Sequence, residues 1–166
     1  MKILFLTIYP ENFPSTRFRI WQYFPYLKKE GIKFKFSPSL SKAWFGHLYG
    51  KKEKWRKLTF MILVMGKRFL DIVSMPFYDV VVVQKGIMPF RIRGIEKLVK
   101  LFSKKLVFDM DDAVYLSYDT SLPKFLSFFE DKKHISKIIS ASDLIIVGNK
   151  HLKEYAEKFN KNAFIC

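Results

Sequence analysis

The sequence predicts an α/β domain, a Rossmann-like, doubly wound, mainly parallel sheet with helices on both faces. Three observations predict it. Short, continuous apolar runs alternate with longer stretches whose apolar residues fall at helical spacing. The runs are apolar on consecutive residues, as strands buried on both faces are. The chain has 166 residues, 49% of them hydrophobic, enough for one domain with a real core.

Taken in order, Ile3–Ile8 is the first buried strand and Tyr9–Pro14 a loop with two prolines. Ser15 or Thr16 can cap a helix from Arg17 to about Glu30, kinked at Pro25 and stopped by Gly31. Ile32–Phe36 is a more alternating strand. Residues 37–57 are irregular, and a helix over roughly Glu53–Val73 follows. Asp79–Gln84 is the clearest buried strand. Beyond Lys85-Gly86 and Pro89, the residues Ile92, Ile95, Leu98, Val99 and Phe102 mark a helix with an apolar stripe. Leu106–Asp109 is the next strand. Phe125, Phe128, Phe129, Ile135, Ile138 and Ile139 keep helical spacing up to Ser142. Leu144–Val147 is a strand, Lys150–Phe159 a helix, and Ala163–Cys166 the start of a further strand. The expectation is a single domain over residues 1–166, cut from something longer because the chain stops inside an apolar run.

Lys and Arg outnumber Asp and Glu 30 to 15, a formal charge of +15. Such a balance points to an anionic partner: nucleic acid, a membrane face or phosphorylated substrates. The lone cysteine, Cys166, excludes a disulfide framework. The apolar start is followed too soon by Glu11-Asn12, with no small-residue cleavage site, to be a secretory signal. Leu58–Met65, the longest apolar run elsewhere, is too short to span a bilayer.

Leu106–Tyr115 is the stretch richest in chemistry. An apolar strand runs into Asp109, Asp111 and Asp112 at its carboxyl end, where open α/β sheets bind ligands. These acids can cap and salt-bridge. They can form a magnesium-dependent phosphatase box, with Asp109 and Asp111 as nucleophile and acid/base, although Asp112-Ala113 stands where such boxes continue Gly-Thr. Or one can act as a general base or electrostatic partner of a ligand above the strand edge.

Of six arginines, four lie in the pairs Arg17/Arg19 and Arg91/Arg93, each expected in the first turn of a helix after a strand. Positive charge there opposes the helix dipole and calls for an anion. Gly148-Asn149 gives a tight turn after a strand. No glycine-rich dinucleotide fingerprint or P-loop occurs, and His47, His134 and His151 share no metal-ligand spacing. Lys42–Arg68 interleaves eight basic residues with aromatic and apolar ones, a composition that suits an anionic bilayer or single-stranded nucleic acid. The expected membrane contacts are Lys51, Lys52, Lys54, Trp55, Arg56 and Lys57.

The opening Met-Lys-Ile-Leu-Phe-Leu, Ser15-Thr16-Arg17-Phe18-Arg19 with Tyr23, Pro25-Tyr26-Leu27 and Gly31, Val80–Val83, Leu106–Asp112 and Ser142–Val147 together resemble the N-terminal half of a GT-B glycosyltransferase of the large retaining family 4 type. The resemblance implies an acceptor-binding domain facing a C-terminal, donor-binding domain that this chain does not contain. It implies a sugar passed from a nucleotide-sugar co-substrate to a glycan or lipid-linked acceptor, with no metal and no cofactor. It also implies a cytoplasmic enzyme at the inner membrane face, and no nucleic-acid partner. Many relatives carry His-Asp where Asp111-Asp112 stands, so Asp111 and Asp112 are the expected catalytic pair. Substrate is expected at Tyr9, Ser15, Thr16, Arg17, Arg19, Lys85, Gly86, Asp109, Gly148 and Asn149. The fragment alone is expected to be inactive.

Overall fold

The computed structural model describes residues 1–39, 54–116 and 130–166, with side chains excepted for 54–57. Six strands form one all-parallel sheet: β1 (Lys2–Thr7), β2 (Lys33–Pro38), β3 (Val80–Gln84), β4 (Leu106–Met110), β5 (Leu144–Val147) and β6 (Ala163–Ile165), in the order β2-β1-β3-β4-β5-β6. Leu6 stands opposite Val83, Val83 opposite Phe108, and Phe108 opposite Ile145, so one apolar row crosses the sheet. The chain leaves β1 toward β2 and afterwards builds away from β1 in the other direction. The β1/β3 boundary is therefore the switch point, where the carboxyl ends of such sheets open a crevice. Pro38 sits in β2, an edge strand, where a missing N–H costs no ladder bond.

The helices are α1 (Pro14–Arg19), α2 (Phe24–Lys29), α3 (Lys54–Ser74), α4 (Ile95–Phe102), α5 (His134–Ala141) and α6 (Lys150–Ala156). Strand alternation divides them between two faces. Leu4, Leu6, Val81, Val83, Phe108, Ile145 and Val147 pack with residues of α3, α4, α5 and α6 in the main core. Ile3 and Phe5 point the other way and join Ile20, Phe24, Phe34, Phe36, Val80 and Val82 in a smaller cluster under α1 and α2. Helices do cover both faces. On the second face, though, those described cover only the β1, β2 and β3 side.

Five expectations are corrected. The helix expected over Arg17–Glu30 is two short ones separated by a 3₁₀ turn, Trp21–Tyr23. Pro25 cannot continue a helix, but it suits the first turn of a new one, and that is where α2 begins. Phe13 holds the N-cap position and Pro14 follows, so Ser15 and Thr16 lie inside α1 and do not cap it. Arg17 and Arg19 therefore fall in its last turn, where the dipole welcomes positive charge, which removes the strain argument. Arg91 and Arg93 precede α4 altogether; Gly94, at φ +86°, stands at its N-cap. Finally, residues 130–133 form a bridge from Glu130 to Ile92 and a turn, so α5 starts only at His134. Phe125, Phe128 and Phe129 lie outside the described residues.

Arg68 ties α3 to the sheet. Its fully buried guanidinium donates to Ser37 O at 2.8 Å, to Ser39 Oγ at 2.6 Å and to Asp71 at 3.0 Å, and also to Thr7 O. Burial pulls this guanidinium down to about 10 even beside Asp71, which leaves it charged at neutral pH. Asp71 also takes Ser37 Oγ at 2.6 Å and Lys35 at 3.0 Å. The lock fixes the carboxyl ends of β1 and β2, the first of which borders the candidate site.

Candidate functional site

The carboxyl edge of β1, β3, β4 and β5 gathers most of the expected residues. Thr7 ends β1 and donates its hydroxyl to Tyr9 O at 2.7 Å, turning the chain sharply off the strand. Tyr9 stacks on Phe13 with ring centroids 4.1 Å apart, which fixes the loop leading into α1. Thr16 is buried and binds Gln84 Oε1 at 3.1 Å, while Gln84 Nε2 donates to Ser15 O at 3.1 Å. Gln84 thus staples α1 to the end of β3. The Ser15 hydroxyl oxygen is buried and has no hydrogen-bond partner among the described residues.

Arg19 reaches across to β4. Its Nε lies 3.1 and 3.3 Å from the two oxygens of Asp109, Nη2 closes a second contact, and Nη1 donates to Cys166 O at 2.7 Å. Asp109 is 4% exposed. Burial pushes its carboxyl above the usual range, with the hydrogen bond and charge of Arg19 opposing. Arg19 is itself raised, mainly by its hydrogen bond to Asp109. With both oxygens on a guanidinium, Asp109 is poorly placed as a nucleophile, which weighs against the phosphatase box.

Beside this pair stands a second one. Lys85 follows β3 with φ +62°, a left-handed conformation that costs a side-chain-bearing residue about 1 kcal/mol or more. Its N–H donates to Asp109 O at 2.9 Å, and its ammonium sits 3.3 Å from Asp111 Oδ1 and also pairs with Asp112. Asp111 is largely covered, whereas Asp112 faces solvent. Gly86 is buried against Ile8, where a Cβ would stand 3.2 Å from Ile8 Cδ1. A Cβ on Gly148 would come within 3.3 Å of Asp111 O, so the turn after β5 backs directly onto the Asp111 backbone. Asn149 caps α6 by accepting from Leu152 N at 3.0 Å, a structural duty.

The structure thus brings together Tyr9, Ser15, Thr16, Arg19, Lys85, Gly86, Asp109, Asp111, Asp112 and Gly148. Arg17 points away, exposed, with its guanidinium 5.1 Å from the Phe18 ring centroid. Lys51 and Lys52, and the side chains of Lys54, Trp55, Arg56 and Lys57, lie outside the described residues. Sequence reasoning missed Gln84 and Arg68. The signal for Gln84 was an amide closing an otherwise all-valine strand; for Arg68, it was an Arg/Asp pair three residues apart on the inward face of an apolar helix.

Chemically, the edge offers carboxylate acceptors (Asp111, Asp112), an ammonium (Lys85), a guanidinium held by a buried carboxylate, and hydroxyls. Such a set can grip a ligand rich in hydroxyl groups. No helix among the described residues is long and apolar enough to cross a membrane, and no cluster of three or more His, Cys, Asp or Glu side chains there could hold a metal ion. No family model and no curated protein matches the chain.

Proposed function

We propose that this chain is the acceptor-side domain of a glycosyltransferase, which moves a sugar from a nucleotide-sugar to a glycan or lipid-linked acceptor in building a cell-surface polysaccharide or glycolipid. The observation that carries the reading is the Lys85–Asp111–Asp112 group at the carboxyl edge of a Rossmann-like sheet, one strand from the switch point. Asp111 accepts a hydrogen bond from a sugar or acceptor hydroxyl, and Lys85, 3.3 Å away, holds it in place. Thr16, Gln84 and the Tyr9 loop shape the wall on the β1 side. The resemblance in Ser15–Arg19 and Asp109–Asp112 adds the reaction class, and the net charge of +15 fits work beside an anionic inner membrane face. The donor-binding half lies in a second domain.

The test uses the native polypeptide, captured from its own cells with an antibody to this domain, and supplied with labelled nucleotide-sugars and a membrane extract as acceptor. The expected product carries a second domain and transfers label. Asp111→Asn should cut transfer by about a hundredfold or more while leaving nucleotide-sugar binding unchanged. Transfer that is indifferent to Asp111→Asn overturns the role of Asp111. A native product too short for a second domain overturns the transferase.

A further inference from the structure

Helix α3 is apolar on both sides. Its inner residues Phe60, Met61, Val64 and Ile72 enter the main core, as a helix covering a sheet requires. Its outer side is apolar as well. Ile62, Met65, Phe69, Leu70 and Val73 all face solvent, followed by Phe77 in the next 3₁₀ turn; Phe69 is 65% exposed, Leu70 69% and Phe77 74%. These positions follow helical spacing, and the stripe runs for about 20 Å at 1.5 Å per residue. Contiguous apolar surface of this kind marks an interaction site.

What covers it is decided by charge. The only acid on the described part of α3 is Asp71, which is buried with Arg68. The stripe also ends at a cavity of about 270 Å³ that Phe77 shares with Phe34, Tyr78, Lys2, Lys33 and Lys35. Lys35 is partly neutralised by Asp71, and Asp79 lies near the Lys2 backbone, but Lys2 and Lys33 both line the cavity, side by side on paired strands. An apolar stripe leading into a basic hollow matches the cross-section of an anionic bilayer, acyl chains beside phosphate headgroups. A second copy of the chain, itself at +15, would meet the stripe with like charge.

We infer that the outer face of α3, from Ile62 to Phe77, lies in the interface of an anionic bilayer, with the Lys2/Lys33 hollow receiving a lipid phosphate. The helix lies on the membrane and does not cross it, since its inner face stays on the sheet. This gives the membrane-side reading a surface distinct from the basic residues 51–57. It needs no sugar donor, so it stands or falls apart from the transferase assignment.

The experiment is sedimentation of the purified chain with vesicles of phosphatidylcholine containing about 30 mol % phosphatidylglycerol. The wild type should bind these and bind pure phosphatidylcholine much less. Phe69→Gln/Leu70→Gln/Phe77→Gln should weaken binding at least about tenfold with an unchanged unfolding midpoint, because all three side chains are exposed. Phe69→Gln alone, the mildest change, should weaken it measurably. Lys2→Gln/Lys33→Gln should lower the preference for the anionic lipid and leave the residual apolar binding. Unaltered binding by the triple variant overturns the inference. So does a wild type that ignores vesicles and self-associates through this face, losing its dimer in the triple variant.

Discussion

Arg68→Met should be among the costliest single changes in the domain. The side chain is fully buried and makes contacts to Asp71, Ser39 Oγ and the Ser37 and Thr7 carbonyls. Methionine fills much of the volume and supplies no donor. Asp71 keeps Lys35 and Ser37 Oγ, and Thr7 O keeps the Ser39 N–H at 2.8 Å, but the described contacts of Ser37 O and Ser39 Oγ to Arg68 are lost. Breaking a buried pair from one side costs about 3–5 kcal/mol. A domain of this kind has only about 5–15 kcal/mol in total. Adding Asp71→Leu removes the stranded carboxylate and should recover part of the loss. The double variant should remain about 1–2 kcal/mol below wild type, because the carbonyl and hydroxyl acceptors are still unserved. Urea unfolding followed by far-ultraviolet circular dichroism reads both, with an unchanged slope required for the comparison. An Arg68→Met variant within about 1 kcal/mol of wild type would refute the lock. Full recovery in the double variant would show that the strand-end contacts contribute nothing beyond the ion pair.

At Lys85 the backbone and the side chain pull in opposite directions. Lys85→Ala keeps the left-handed conformation and loses the ion pairs, whereas Lys85→Gly loses the same pairs and relieves the backbone, so the glycine variant should be about 1 kcal/mol the more stable of the two in chemical denaturation; equal stabilities would contradict the φ of +62°. Glu96 and His134 form a buried pair at 3.4 Å, with Lys137, Asp131 and Arg93 around them. Burial pushes the Glu96 carboxyl up, but contact with His134, its own backbone N–H and Lys137 together hold it below the ordinary range. A depressed carboxyl contributes stability that is present above its unfolded value and lost as pH falls through the folded one. Wild type should therefore lose stability below about pH 4.5 more steeply than Glu96→Gln, and parallel pH profiles would remove Glu96 from the account.

The sheet was legible because its strands are apolar on consecutive residues, a pattern that only a two-sided burial demands. Val80–Val83 and Leu106–Phe108 could be placed within a residue. The carboxyl-edge position of Asp109, Asp111 and Asp112 followed from strand polarity alone. Long-range pairing was not legible. Nothing local says that Arg19 turns to Asp109, 90 positions away, or that Thr16 meets Gln84, because those contacts depend on β1, β3 and β4 lying side by side in that order. The arginine argument failed for a local reason. For Arg17 and Arg19 it assumed one helix starting at Arg17 and running through Pro25; the helix instead runs Pro14–Arg19, which puts both at the opposite end of the dipole, while Arg91 and Arg93 precede α4. The outer face of α3 was not legible either: the basic residues 51–57 drew the membrane reading to the start of the helix, while the apolar residues at i, i+3 and i+7 beyond them fall on the outside.

The arrangement at the sheet edge restricts what kind of ligand suits it. An anion arriving at Arg19 must displace Asp109, leaving a carboxylate in a place where burial already disfavours its charge. At Lys85 an anion meets Asp111 and Asp112 on the same ammonium. Each cation described here is already matched by a carboxylate, so a phosphate gains little that is not given back. A hydroxyl faces no such competition. It can donate to the carboxylate of Asp111 while Lys85 stays beside it, adding a hydrogen bond without uncovering a charge. A ring carrying several hydroxyls can repeat that exchange at Asp112, which is open to solvent. The cations of this edge therefore hold acids in place, and the acids, not the arginines that first drew attention, suit a neutral, hydroxyl-rich ligand best.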